Sequence, residues 1–345
     1  MNNKTINKGR IAYIEAIRCI ALFFVVLAHV VAIPVQKWSG ETGVEYGLYV
    51  ICYAIGNFGV PLFLMITGTL LLQRDKNITL DKLFHKMLPR ILVPLVVWGF
   101  IFACLEIYFE THSINFSMIP DAVLRVLNKE SWGHLWYLYM LIGVYLFLPV
   151  LKVMANNLSE KFHLYLCIVL FILGYVFPQI NILFGTTITV NAPLPLCHFA
   201  CVWYGYCINR FGDRKRVKQV IYGFGTISIL VLVIFSLFSG HGQYSVLARY
   251  DGPFVVGASA LIYLVVFQLL KDGQIPKILL LLADCSFGIY LLHPVIMNVL
   301  YKVVKLQPTQ FPALISIPIC ALIFIIPTWL GVAIAKKIPF IRKLV

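Results

Sequence analysis

Long apolar stretches alternate with short basic connections along the chain. Ten stretches stand out, at about 11–33, 46–72, 88–109, 133–151, 163–180, 193–209, 219–239, 253–270, 279–300 and 311–335. Each approaches or exceeds the roughly 20 apolar residues that a helix needs to cross hydrocarbon. The runs are continuous and do not alternate at period two, which excludes a membrane β-barrel built of strands of about 10 alternating residues. The pattern therefore predicts an all-α fold, a polytopic membrane helical bundle of about ten transmembrane helices. The sixth stretch is short and flanked by Pro193 and Pro195. The longest connection, about 110–132, reads as a loop. No internal repeat and no soluble domain is visible, so residues 1–345 are expected to form a single integral-membrane domain.

Lys and Arg give the expected orientation. With the N-terminus in the cytoplasm, alternation places 21 of the 28 basic residues in cytoplasmic segments and six outside, with Arg18 inside a span. The cytoplasmic set includes Lys4, Lys8, Arg10, Lys86, Arg90 and Lys152. An excess of cytoplasmic Lys and Arg is the ordinary bias of membrane proteins, so both termini are expected inside. The first apolar run follows basic residues as a signal peptide would. It carries Glu15 and Arg18, however, and lacks a small-x-small cleavage site, so it is expected to stay as a span.

Composition agrees. Hydrophobic residues make up 61% and charged residues 12%, and mean hydropathy is +0.89. So few charges cannot cover a soluble surface. The net charge of +14 is accounted for by topology, without nucleic acid as a partner. All nine cysteines fall in predicted helices, where Cys is a small apolar residue. Cys197, His198 and Cys201 lack the second Cys/His pair of a zinc site, so no metal is expected.

An ionisable residue inside a span is costly and is a functional candidate by default. The first span holds Glu15, Arg18 and His29. Arg18 and His29 are eleven residues apart, close to three full turns, so they share a face at a separation of about 16 Å. Two readings are open: a structural Glu15–Arg18 pair with a tethered histidine, or an acid, a base and an imidazole aligned for chemistry. Glu106 and His198 are also intramembrane and have no assigned role.

Segment 13–30, YIEAIRCIALFFVVLAHV, resembles the first helix of the integral-membrane acyltransferase family 3, in which an Arg is followed after ten residues by a His. Three more segments resemble that family in order: VPLFLMITGTLLL (60–72), HLWYLYMLIGVYLFLPVLK (134–152) and SFGIYLLHP (286–294). In the second, Thr67 stands before Gly68 where the family usually has Ser. The resemblance covers most of the chain and looks closest to the WecH-like branch of surface-polysaccharide O-acetyltransferases. It implies a multi-pass protein of a bacterial inner membrane. It also implies acyl-CoA, most simply acetyl-CoA, as co-substrate, with no resident cofactor. The acceptor would be a hydroxyl of a surface glycan or lipid-linked glycan.

The resemblance assigns catalysis to His29, supported by Arg18 and Glu15. For the donor it points to KLFHKMLPRILVP (82–94), where Arg90 matches the second Arg of the family's Arg-x-x-Arg and Met87, beside Lys86, occupies the first. Lys82 and Lys86 fit positive-inside anchoring equally well. Acceptor binding and support fall to His134, Trp136, Ser286, Tyr290 and His293. Trp136 reads equally as an interface anchor, and His293 as a structural hydrogen-bonding group placed at the depth of His29. Asp284 is a candidate partner for Arg18. A transporter or flippase of a glycan precursor or small solute is the alternative, since a polar line through a bundle suits it too.

Overall fold

The computed structural model describes residues 11–345 except 41–42, 114, 117, 187–194, 239 and 241–244. Lys4, Lys8 and Arg10 lie outside the described residues. The described residues contain no strand, and nine helical segments among them are long and apolar enough to cross a membrane. This is a polytopic helical bundle. The main helices are α1 (Ala12–Gln36), α2 (Val44–Gly56), α3 (Gly59–Leu71), α4 (Pro89–Thr111), α5 (Met118–Leu127), α6 (Trp136–Asn157) and α7 (Glu160–Phe171). They continue as α8 (Phe177–Phe184), α9 (Leu196–Phe211), α10 (Lys215–Phe238), α11 (Pro253–Leu270), α12 (Lys277–Asn298) and α13 (Ala313–Ala335).

The expected second span is present as one apolar segment, Val44–Leu71, with its helix interrupted at residues 57–58. α2 and α3 meet at Asn57, whose side-chain amide donates to the main-chain oxygens of Tyr53 at 3.1 Å and Ala248 at 2.9 Å. The Asn57 side chain thus ties the junction to the main chain at Ala248, a polar contact of the kind that irregular backbone at membrane depth requires. The expected sixth span, 193–209, corresponds to α9, which has 16 described residues, while 193 and 194 lie outside the described residues. At 1.5 Å per residue α9 is about 24 Å long. It packs on α3 and α7 and holds Trp203 fully buried. A helix sheathed by protein need not match the full hydrocarbon thickness.

α3 and α9 cross at near backbone contact. A methyl group added at Gly68 would collide with the carbonyl of Val202, and one added at Gly205 with the carbonyl of Met65. Small residues at such crossings let helices gain dispersion energy where lipid gives no hydrophobic drive. Thr69 Oγ1 bridges the same crossing, donating to Gly205 O at 2.8 Å, with Tyr263 Oη 2.6 Å away. The end of α3 is capped by a buried ammonium. Lys152 of α6 donates to the main-chain oxygens of Leu72, at 3.2 Å, and Gln73.

Two π turns, Leu83–Met87 and Ile172–Val176, come just before Pro89 and Pro178. A proline ring clashes with the carbonyl four residues earlier. That carbonyl belongs to His85 or Gly174, each inside a π turn, where the wider spiral makes room.

The connection at 110–132 is a fold-back, not a simple loop. Met118 and Ala122 of α5 pack on Ala103 and Ile107 of α4, and Val126 lies over Gly99. α5 has ten residues, about 15 Å, and runs back down α4 from Ile107 to Gly99. Most of its outward side chains are apolar, with Ile119 48%, Leu124 55% and Leu127 70% exposed, while exposed Asp121 pairs with Arg125. A soluble amphipathic helix would show the reverse, so this face suits lipid. Ser131 Oγ donates to Gly99 O at 2.9 Å, Tyr139 Oη donates to Val126 O, and Trp132 stacks on Phe102 at 4.2 Å. These contacts deliver the turn at Gly133–Leu135 to the interior of the bundle.

Candidate active site

α1 packs against α2, α3, α12 and α13 and runs through the centre of the bundle. Arg18 and His29 open onto one cavity of about 370 Å³. α3 contributes Phe63 and Thr67 to its wall, α6 contributes Trp136, Tyr137 and Tyr145, and α12 contributes Asp284, Ser286 and Tyr290. Most of the remaining wall is aliphatic or aromatic. The cavity is an apolar shaft with a guanidinium at one end and imidazoles at the other.

Glu15 pairs with Arg18 at 2.9 Å on the same helix, and Glu15 is 7% exposed. The ion pair of Arg18 is thus with Glu15, while Asp284 lines the cavity across from it. A second cavity of about 260 Å³ lies on the other side of Arg18, bounded by Glu15, Gln73, Asp75 and Lys76. Arg18 and Leu70 belong to both walls. Arg18 therefore stands between a vestibule and the shaft.

His29 Nδ1 lies 2.7 Å from the main-chain oxygen of Val25. A carbonyl only accepts, so Nδ1 carries the proton and Nε2 keeps its lone pair. His134 and His293 join it, as the depth estimate from sequence expected for His293. The His29 ring is 4.8 Å from that of His293 and 6.5 Å from that of His134, between centroids. His134 Nε2 donates to Leu291 O at 3.2 Å, and Tyr290 Oη donates to His134 O at 2.6 Å. His293 Nδ1 donates to Ile289 O at 2.9 Å. Among the described residues no group of three or more His, Cys, Asp or Glu is arranged to hold a metal ion.

Trp136 lines the shaft beside these histidines and packs on Tyr250, with ring centroids 4.8 Å apart and planes tilted by 31°. Tyr250 stacks on His198 at 5.9 Å. Ser286 is buried in the wall. The structure does not bring Arg90 and Lys86 into either cavity. Both are exposed near the start of α4, and Arg90 shares with Arg18 only an electrostatic reach to Tyr145. Sequence reasoning missed Tyr137 and Tyr145, although with Leu141 they follow the four-residue spacing of one helix face. It also missed Gln73, Asp75 and Lys76, which read as an ordinary connection.

An apolar shaft with a guanidinium at one end and imidazoles at the other thus lies inside a membrane helical bundle. The family model described as "Acyltransferase domain", that of acyltransferase family 3, matches residues 11–335, and the chain belongs to that family. The protein is a membrane acyltransferase. Comparison with curated proteins and with solved structures gave no match.

Proposed function

We propose that this acyltransferase moves an acyl group, acetyl in the simplest case, from acyl-CoA to a hydroxyl of a surface polysaccharide or lipid-linked glycan. It would do so in a bacterial inner membrane, as a member of the WecH-like branch. The observation that carries this reading is the bare Nε2 of His29, held by the Val25 carbonyl at the end of a shaft that begins at Arg18. The donor's phosphates meet Arg18, a group suited to bidentate phosphate contacts. The roughly 16 Å from Arg18 to His29 suits the pantetheine arm, and the apolar wall suits its body.

His29 Nε2 takes the proton of the acceptor hydroxyl as its oxygen attacks the thioester carbonyl carbon. The tetrahedral oxyanion collapses, the carbon–sulfur bond breaks, and the thiolate leaves with the proton from His29. Trp136 offers the acceptor sugar an aromatic face, and His134, Ser286, Tyr290 and His293 complete the acceptor end. Lys86 and Arg90 attract the donor to the membrane surface without lining the shaft.

The test uses membranes carrying the protein and radiolabelled acetyl-CoA, comparing wild type with His29→Ala at matched expression. Label entering a glycan or lipid-linked fraction, and lost in the variant, is expected. Label unchanged in the variant would remove His29 from catalysis. No label in either, with acetyl and succinyl donors and native glycan present, would favour transport instead.

A further inference from the structure

Hydroxyls inside a helix commonly bond back to the carbonyl one turn earlier. Ser228, Ser236, Ser259 and Thr328 do so, to Phe224, Leu232, Val255 and Phe324. In the wall of the shaft Thr67 does the same to Phe63 O at 3.1 Å, and the Tyr290 hydroxyl is spent on His134 O. Three other hydroxyls of that wall, those of Tyr137, Tyr145 and Ser286, bond nothing among the described residues. They are not sealed in either. The fully enclosed polar atoms without a partner belong to Glu106, His198, His293 and Trp329 among the described residues. The three hydroxyls are therefore open to the cavity their residues line. Ser286 is placed with the acceptor, whereas the two tyrosines have no part in the transfer step.

Both tyrosines stand on α6, eight residues and about 12 Å apart along the axis. Tyr145 is at the Arg18 end, within electrostatic reach of that guanidinium. Tyr137 is at the imidazole end, three residues after His134, with its ring 5.5 Å from that of Tyr290. Between them α6 shows the cavity the apolar side chain of Leu141. The wall thus offers two hydroxyls separated by an apolar stretch. The arm of an acyl-CoA carries acceptors at the same interval. From the carbonyl of the amide nearer its phosphates to the thioester carbonyl there are nine bonds, the length of three extended residues, or about 11 Å.

We propose that Tyr145 donates to that inner amide carbonyl of the pantetheine arm and Tyr137 to the thioester carbonyl. This rests on acyl-CoA as the donor and names the side chains that read its arm. An amide drawn into an apolar shaft loses its water, and Tyr145 returns a hydrogen bond. Tyr137 acts at the reacting centre. His29 Nε2 takes the acceptor's proton as the hydroxyl oxygen bonds to the carbonyl carbon, and the carbonyl electron pair moves onto oxygen. The Tyr137 O–H bond to that oxyanion strengthens, and the proton stays on Tyr137. Collapse restores the carbonyl and breaks the carbon–sulfur bond, and the thiolate leaves with the proton from His29. Tyr137 is then a catalytic residue and Tyr145 a binding residue.

The experiment compares Tyr137→Phe and Tyr145→Phe with wild type, each purified in detergent. Since neither hydroxyl is bonded within the protein, both variants should keep the wild-type thermal midpoint. Radiolabelled coenzyme A, which has the inner amide and no thioester, should bind Tyr145→Phe about 3- to 10-fold more weakly and Tyr137→Phe as wild type. With acetyl-CoA and native glycan, Tyr137→Phe should lower kcat about 100-fold at unchanged KM. Tyr145→Phe should raise KM and keep kcat. S-acetyl-N-acetylcysteamine ends before the inner amide, so wild type and Tyr145→Phe should use it equally, and Tyr137→Phe less. Coenzyme A bound equally by wild type and Tyr145→Phe overturns the role of Tyr145, and an unchanged kcat in Tyr137→Phe overturns that of Tyr137. Binding needs no transfer. A wild type that holds coenzyme A but moves no acetyl refutes the proposed reaction and Tyr137 with it, while Tyr145 is still judged by binding. A wild type that does not hold coenzyme A overturns both roles.

Discussion

Tyr290 on α12 donates its hydroxyl proton to the main-chain oxygen of His134 at 2.6 Å, while His134 returns a bond to the main chain of α12 at Leu291. The two bonds pin the turn before α6 to α12 and hold His134 beside His29. Tyr290→Phe removes one bond and leaves a buried carbonyl unpaired. Interhelical hydrogen bonds in membranes are worth about 1 kcal/mol. The expected outcome is a thermal midpoint lower by a few degrees in detergent, together with a fall in kcat of about 10-fold, measured on the same preparation.

Arg18 stands where the vestibule meets the shaft. Replacing it with Gln removes the cation and leaves a shorter, neutral polar side chain. Donor KM should rise about 10- to 100-fold, the value of a charge-assisted contact of roughly 1.5–3 kcal/mol. Glu15→Gln should change it less. A titration of radiolabelled donor checks both, and an unchanged KM in Arg18→Gln would move the donor's phosphates elsewhere.

The α3–α9 crossing allows a stability test with an internal control. Gly205→Ala places a methyl against the Met65 carbonyl, a backbone group that cannot step aside. The expected outcome is loss of the monodisperse peak on size exclusion, or a destabilisation of at least about 3 kcal/mol. Gly143 on α6 has nothing within 4 Å of the same position. Gly143→Ala should be neutral or slightly stabilising, because alanine favours helix.

Lys152→Met keeps the bulk of the side chain and removes the ammonium that caps α3. Two carbonyls lose their donor, at about 1–3 kcal/mol. Thermal unfolding followed by Trp fluorescence reads this directly, and Lys152→Arg should keep most of the stability.

Near the start of α10, the Lys271 ammonium, 2.6 Å away, and then the Gln268 amide hold the Asp213 carboxyl below the usual carboxylate range. A depressed carboxyl stabilises the fold above its unfolded-state pKa, about 3.9, and loses that contribution as pH falls through the folded value. The pair is largely exposed, so its worth is below about 1 kcal/mol. Asp213→Asn should therefore unfold slightly earlier than wild type at neutral pH. The two melting curves should begin to converge below about pH 4 and meet once the pH is below the folded value.

Much of this was legible from residue spacing. Arg18 and His29 share a face because eleven residues are close to three turns, and counting along α12 put His293 at the depth of His29. Both inferences need only the helix rise. The break at Asn57 and the fold-back of α5 were not legible, since a hydropathy profile registers apolar length and not direction. A segment such as Ile119–Leu127 has apolar residues enough for a short helix but too few for a crossing. Lys86 and Arg90 line neither cavity, and charge near a span end reads equally as an anchor. Only tertiary packing shows which way such a side chain points. His134 entered the cluster through contacts made by Ser131, Trp132 and Tyr139, which no local pattern in the sequence foretells.

Because Arg18 and His29 stand on one unbroken stretch of α1, the helix works as a ruler for whatever lies along the shaft. Its gradations are 1.5 Å and 100° per residue. One residue inserted between Cys19 and Ala28 would turn His29 about a quarter of the way round and out of the cavity, along with the buried Val30 and Val31. Lengthening by whole turns would keep the facing and change only the reach. The separation of donor anchor from reacting atom is thus written into chain length on a single helix, and donors with a much shorter arm would bind at one end without reaching the other.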